Sequence, residues 1–245
     1  MTAADFVIAD GTIRLWPAAL DIDTPALTTL SSTLSPDERA RAARFIFERD
    51  RLRFAAARGW LRTILGRCVG VHPAALRFEY SSTGKPSLSW AGREAVVHFN
   101  LAHSEDRALV AVTRLGAVGV DVERVRDIEH APRLVERFFS PRESALFQAL
   151  PADRQPAAFF NLWTRKEALL KATGEGLSAS LRQVEVSFLP GEAARLLAVA
   201  GDEEEAAHWT LRELAPAANF VGAVAVRAAH VGVTVSDVLT RPDVG

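Results

Sequence analysis

Cysteine is nearly absent from this sequence, in which Cys68 is the one cysteine among 245 residues. A single thiol excludes an intrachain disulfide and a thiolate metal cluster, and it favours a cytoplasmic location. No apolar run approaches the roughly 18 residues of a membrane span. The first residues also lack the basic and apolar segments of a signal peptide. We therefore expect a protein that does not enter a membrane.

Excess charge of one sign is also lacking, because the formal net charge is -1. A charge this close to zero argues against a general nucleic-acid binder. Hydrophobic residues make up 49% of the chain, which is enough to bury a sizeable core. The length allows either one large domain or two halves.

Lysine is scarce: of 29 basic residues only Lys85, Lys166 and Lys171 are lysines. Two of the three lie in the segment 163–171, which has no glycine or proline and predicts a helix. Lysine is a compact point charge that suits a phosphate, whereas arginine prefers planar bidentate partners. We interpret the retained lysines as candidate phosphate ligands.

Helical spacing places Trp163, Glu167 and Lys171 on one row of this helix. An ordinary i,i+4 ion pair between Glu167 and Lys171 would explain the two charges equally well, and it contributes only about 0.2–0.5 kcal/mol. Trp163 is interpreted as a structural residue that orients the helix.

Two acids share one face of the clearest predicted strand, residues 118–123. Asp121 and Glu123 alternate with valines, so the opposite face is apolar. At the edge of a sheet two such acids could be exposed and without function, but this strand is apolar enough to be predicted as central. Two acids on one face of a central strand need a cation. With Glu167 on a helix packed beside the strand, an all-oxygen set of ligands would suit Mg²⁺ better than Zn²⁺.

Two helix starts of the same form lie 105 residues apart, at Ser35-Pro36-Asp37-Glu38 and Ser140-Pro141-Arg142-Glu143. Each has the residues of a capping box, and strands are predicted after each helical region. The repeat indicates an internal duplication into halves 1–115 and 116–245 of an α+β fold. A cleft between two halves is a natural ligand site.

Arginine is concentrated between residues 35 and 67, where nine arginines stand against four acids. We expect some of them to face a polar edge of the core or a ligand, since they are too many for one solvated stripe. The helical stretch that begins here is predicted to run with interruptions to about residue 66. Its buried side is predicted to consist of Phe45, Leu52, Ala56 and Trp60, with Phe54 and Leu61.

Five short motifs, in order, resemble the 4′-phosphopantetheinyl transferases of the Sfp type. They are Gly84-Lys85-Pro86, Phe99-Asn100-Leu101-Ala102-His103, the strand 119–123, the segment 138–143, and the helix 163–171 followed by Gly174 and Gly176-Leu177. The resemblance runs from about residue 35 to residue 180. It implies two similar halves in a pseudo-twofold arrangement, with coenzyme A in the cleft between them.

The resemblance also implies an activity. The phosphopantetheine group of coenzyme A would pass to a serine of an apo acyl or peptidyl carrier protein, and Mg²⁺ would be held by Asp121, Glu123 and Glu167. A length near 245 residues is similar to that of the monomeric members of the family. Glu167, or a water bound to the metal, would accept the serine proton.

Contacts to coenzyme A are implied by position. Lys85 would meet the adenosine, Arg53 and His103 the 3′-phosphate, and Lys171 the pyrophosphate. Arg41 is a further candidate phosphate ligand.

Two positions depart from the family pattern or carry a second explanation. Ala102 stands where many relatives have serine, so a hydroxyl contact to phosphate is missing. Glu143 matches an acid of the family, but its place in the capping box explains it as well.

Two other functions are weighed against the transferase. An inactive module that binds coenzyme A or a carrier protein would have no reason to keep Asp121, Glu123, Glu167 and Lys171. An Mg²⁺-dependent nucleotide hydrolase of the usual kind would need a P-loop, and the sequence has none.

Overall fold

The structure, a computed structural model, describes residues 3–90, 93–94, 97–174 and 181–242. It is of the α+β class, as predicted. The helices are α1 Thr24–Ser32, α2 Pro36–Ala42, α3 Glu48–Val69, α4 Ala131–Phe138, α5 Pro141–Gln148, α6 Gln155–Thr173 and α7 Glu203–Ala207. The strands are β1 Thr12–Ala19, β2 Arg77–Tyr80, β3 Pro86–Trp90, β4 Arg93–Glu94, β5 His98–Ser104, β6 Arg107–Thr113, β7 Val118–Arg124, β8 Val184–Val186, β9 Leu196–Val199, β10 Thr210–Leu214, β11 Phe220–Val226 and β12 Gly232–Val235. None of the helices described is long and apolar enough to span a membrane.

The chain divides into two compact units, residues 1–114 with 232–245 and residues 115–231. The sequence-based halves were 1–115 and 116–245. The difference lies at the C-terminus, where β12 pairs in parallel with β1 and so belongs to the first unit. A C-terminal strand that returns to the first sheet leaves no local signal of its destination. The relation of the two units by a twofold rotation stays a prediction.

The first unit contains a four-stranded sheet in the order β12-β1-β6-β5 and a small sheet, β2-β3-β4. The predicted hairpin is confirmed, since β5 and β6 pair antiparallel around a turn in which Glu105 has a φ of 47°. The core of the first unit includes Trp16 and Trp60, and the indole Nε1 of Trp60 donates to the Ala19 carbonyl at 3.0 Å.

The second unit has the sheet β10-β11-β7 and the pair β8-β9, with α6 in the core. β7 pairs antiparallel with β11 along its whole length. Within the described residues it is the edge strand of this sheet, so the prediction of a central strand was wrong; its apolar side chains are buried by packing against α6 and the core rather than by a second neighbouring strand. α6 ends at Gly174, whose φ of 77° is the left-handed conformation that favours glycine at a helix end. The Gly176-Leu177 part of the predicted helix end lies outside the described residues.

Candidate functional site

Strand β7 and helix α6 approach closely at Gly119. A Cβ atom built on Gly119 would clash with the carbonyl oxygen of Ala168 and the amide nitrogen of Ala172. Side chains at i and i+2 of a strand point to one face, so Gly119 and Asp121 share the face that lies against α6. The glycine therefore brings the strand acid within reach of the helix side chains.

Asp121 pairs with the lysine one turn beyond Glu167. The Nζ atom of Lys171 lies 2.6 Å from Asp121 Oδ1 and donates to the Val120 carbonyl at 3.2 Å. Asp121 is buried, whereas the Lys171 side chain keeps 31% of its surface exposed. A partly exposed ammonium over a buried acid can also meet the phosphate of a ligand.

Among the residues that the structure describes, two carboxylate oxygens of the site have no hydrogen-bond partner. They are Asp121 Oδ2 and Glu167 Oε1, and both are buried. Burial raises the pKa of Asp121 to about 6, although Lys171 acts in the opposite direction. Burial also raises the pKa of Glu167 to about 7, and the nearby Asp121 raises it further. The single ammonium of Lys171 therefore does not offset the burial of the two carboxyl groups of Asp121 and Glu167.

Glu123, the third predicted ligand, is placed differently. It is half-buried at the end of β7, and one of its oxygens lies 3.5 Å from Arg126 NH1. Within the described residues, no three His, Cys, Asp or Glu side chains form a group that could hold a metal ion. The structure brings together Asp121, Glu167 and Lys171, whose two unpartnered oxygens fit an oxygen-preferring cation. The three-ligand set stays a prediction.

Lys166 has a structural environment. Its side chain is fully buried, and its Nζ atom donates to Glu143 Oε2 at 2.5 Å, to the Leu181 carbonyl at 2.7 Å and to the Val184 carbonyl. Lys166, which lies on the helical row beside that of Glu167 and Lys171, is therefore not available as a phosphate ligand. A compact ammonium with three donors matches three buried acceptors, which explains why lysine is kept here.

Glu143 completes the same cluster. It accepts from the Ser140 amide at 3.0 Å as the acid of the capping box, and its Oε1 accepts from the Val186 amide at 3.0 Å. With its ion pair to Lys166, Glu143 therefore holds α5, β8 and α6 together.

Trp163 packs against Phe159, with ring centroids 6.1 Å apart, as expected of a structural residue.

The first unit repeats this arrangement with arginine. Glu38 accepts from the Ser35 amide in its capping box and pairs with Arg62 at 2.5 Å. Arg62 then donates to the carbonyls of Pro73 and Leu76 at 2.9 and 3.2 Å.

Pro73 is the first residue of the short 3₁₀ turn Pro73–Ala75, and Leu76 directly follows it. Leu181 and Val184 have the same positions relative to the turn Leu181–Gln183. The repeated contacts support the predicted duplication. They also confirm that some arginines of the 35–67 stretch face a polar edge of the core.

A cavity of about 610 Å³ opens beside this cluster. Its lining is Asp37, Glu38, Arg41, Arg44, Phe45, Phe54, Arg58 and Tyr80. The guanidinium of Arg41 lies over the Phe54 ring at 5.4 Å. Within the part of the chain that the structure describes, neither Arg41 nor Arg44 has an acidic partner. The cavity thus combines aromatic surface with available positive charge.

The other predicted ligands of coenzyme A do not line this cavity. Arg53 makes two hydrogen bonds to Asp21, of 2.7 and 2.6 Å. Lys85 is half-buried after Gly84, and burial lowers its pKa to about 8. His103 is an exposed residue of β5.

Phe54 and Tyr80 were not predicted as lining residues. Tyr80 is the one tyrosine of the chain and stands just before the glycine-lysine-proline loop, a signal that could have indicated it.

Comparison with known proteins identifies the family. Residues 117–225 match the 4′-phosphopantetheinyl transferase superfamily, and residues 23–114 match the family described as 4′-phosphopantetheinyl transferase, N-terminal. The chain belongs to the 4′-phosphopantetheinyl transferase superfamily.

Among its relatives, the 4′-phosphopantetheinyl transferase HetI of Nostoc is 44% identical over 87% of each chain. A putative 4′-phosphopantetheinyl transferase of Synechocystis, slr0495, is 35% identical over 77% of this chain and 75% of its own. The Sfp transferase of Bacillus subtilis is 29% identical over 61% and 64%.

Proposed function

We propose that this protein transfers the 4′-phosphopantetheine group of coenzyme A to a serine of an apo acyl or peptidyl carrier protein, with Mg²⁺, as a cytoplasmic monomer. The observation that carries the proposal is the pair of buried, unpartnered oxygens on Asp121 and Glu167 beside Lys171. Such a pair is costly unless a cation completes it. Family membership supplies the reaction.

The acids would hold the metal, with Glu123 as a third ligand after its side chain turns from Arg126. A bound Mg²⁺ supplies neutralisation of charge on the pyrophosphate. Lys171 would contribute further positive charge from the exposed part of its side chain. The ion pair with Asp121 would keep this ammonium beside the pyrophosphate of bound coenzyme A.

The chain's own residues would position the donor. The cavity of the first unit offers Arg41 and Arg44 for a phosphate and the rings of Phe54 and Tyr80 for a base. We propose that it receives the 3′-phosphoadenosine end of coenzyme A. Arg53 would reach the phosphate through its Nε–Nη2 edge only in competition with Asp21, which already occupies that edge of its guanidinium.

Transfer forms a bond between the serine Oγ and the β-phosphorus of coenzyme A. The bond from that phosphorus to the bridging oxygen breaks, and adenosine 3′,5′-bisphosphate leaves. Glu167 is the proposed acceptor of the serine proton, directly or through a water. Without metal the pKa of Glu167 is about 7, and bound Mg²⁺ would lower it, so a metal-bound water relayed by Glu167 is an equal candidate for this proton transfer.

Mass spectrometry of an apo carrier protein tests the proposal. The protein, coenzyme A and Mg²⁺ are incubated with a panel of acyl and peptidyl carriers. We expect one carrier molecule to gain one phosphopantetheine group, and EDTA to prevent the gain. No gain on any carrier, together with measurable binding of coenzyme A, would instead identify a binding module.

A further inference from the structure

The start of helix α3 exposes apolar side chains that the sequence pattern placed in the core. Ile46 is 92% exposed and Phe47 is 67% exposed, while Phe45 and Leu52 are each 38% exposed. We call these four residues the α3 patch. The prediction that Phe45 and Leu52 are buried is wrong, because α2 ends at Ala42 and α3 begins only at Glu48.

Helix formation does not explain the patch. Phe47 occupies the N-cap position of α3 and makes no capping hydrogen bond through its side chain. Serine, aspartate or asparagine at this position would stabilise the helix by about 1 kcal/mol. An exposed aromatic residue that replaces a cap indicates selection for a contact rather than for stability.

Positive charge surrounds the patch. Between residues 39 and 53 the sequence has six arginines and two acids. Arg49 and Arg51 are exposed, and among the described residues they pair with acids near them in sequence, Asp50 at 3.5 Å and Glu48 at 3.1 Å. Exposed pairs of this kind contribute little and separate readily. The surface therefore fits a partner with apolar side chains ringed by carboxylates.

The patch also borders the cavity, since Phe45 belongs to both. A partner seated on the patch would stand beside the proposed site for the 3′-phosphoadenosine end of coenzyme A. We propose that the α3 patch docks the carrier protein through an amphipathic segment whose apolar side chains are ringed by carboxylates. This inference rests on the proposed transfer reaction.

Steady-state transfer kinetics with one carrier test the docking surface. The Ile46→Ser/Phe47→Ser double variant changes only exposed side chains, and its fold is checked by its melting temperature. We expect the KM for the carrier to rise about tenfold, because interface anchors typically contribute 1 kcal/mol or more each. The KM for coenzyme A should stay within about twofold of the unmodified protein's value.

Val7→Ser is the matched control, since Val7 is 64% exposed and lies outside the patch. We expect this variant to leave both KM values unchanged. Arg49→Gln/Arg51→Gln should raise the carrier KM most at low salt, as electrostatic steering requires.

Three results would overturn the docking assignment while transfer by the unmodified protein stands. The first is an unchanged carrier KM in the Ile46→Ser/Phe47→Ser variant, and the second is an equal rise in its KM values for carrier and coenzyme A. The third is loss of binding to anionic phospholipid vesicles by this variant with no change in its kinetics, which would identify a membrane contact. Absence of transfer by the unmodified protein would refute the proposed function instead.

Discussion

At the scale of single residues, the site is distinguished by two buried carboxyl groups, those of Asp121 and Glu167, beside the single ammonium of Lys171. The folded state raises the pKa of Glu167 to about 7 from an ordinary value of 4.5. The folded protein then binds more protons than the unfolded chain between these values. The free energy of unfolding of the metal-free protein should therefore fall as the pH rises through this window.

Glu167→Gln removes this titration. At pH 8 without metal, we expect the variant to be more stable than the unmodified protein by about 1–3 kcal/mol, and at pH 4 the two should be similar. Urea unfolding at several pH values measures the difference. Glu136→Gln, which changes an exposed glutamate of α4, is the control and should show no such pH dependence.

Added Mg²⁺ should act in the opposite sense. A cation that binds the folded state raises stability by mass action, so the melting temperature of the unmodified protein should rise with Mg²⁺ at pH 8. Glu167→Gln should lose most of this rise because it lacks a ligand. Equal shifts in both proteins would count against the assignment of Glu167.

Lys166 provides a residue-scale test of the structural cluster. Lys166→Met leaves Glu143 buried without its ion partner, and we expect a loss of about 3–5 kcal/mol in unfolding free energy. The double variant Lys166→Met/Glu143→Gln should recover part of that loss. Arg142→Met, at an exposed position, serves as control. A small effect of Lys166→Met would contradict a structural role.

Single residues also show where sequence reasoning succeeds. The acids of β7 and the lysines of α6 were identified from composition and spacing. Helical spacing also separated Lys171, on the row of Glu167, from Lys166 on the neighbouring row. The structural role of Lys166 could not be predicted, because its acceptors at Leu181 and Val184 become neighbours only after folding.

At the scale of elements, the distance between β7 and α6 positions the site. Gly119→Ala would place a methyl group against the backbone of α6, which cannot yield as a flexible side chain would. We expect a loss of about 1–3 kcal/mol in unfolding free energy, with reduced transfer.

Gly232→Ala offers a comparison, because its nearest contact is the Thr12 side-chain methyl at 3.2 Å. The loss there should be smaller, and equal losses at the two glycines would contradict the argument. Chemical denaturation measures both.

The elements themselves were mostly predictable. Capping boxes located the starts of α2 and α5, and alternation located β7 and the β5–β6 hairpin. Interruptions of the helical stretch were predicted, but the position of the break between α2 and α3 was not, since neither glycine nor proline marks residues 43–47. That break turns Phe45 and Leu52 outward, and so the α3 patch has no signature in the periodic pattern.

At the scale of the whole molecule, the two capping boxes predict a duplication. The structure adds chemistry that sequence identity hides: Arg62 in one unit and Lys166 in the other each join a buried glutamate to two carbonyls. Different residue types can fill one role, so the repeat is clearer in contacts than in letters. The pairing of β12 with β1 could not be predicted, because a short terminal strand can join either unit.

Transfer measured by intact-carrier mass, with parallel detection of adenosine 3′,5′-bisphosphate, is the most direct test of the central claim. With Mg²⁺, the account predicts one phosphopantetheine gained and one bisphosphate released per carrier. EDTA and Glu167→Gln should each abolish both signals, whereas Glu136→Gln should retain them. A gain of mass that persists in EDTA, or no gain on any carrier tested, would contradict the account.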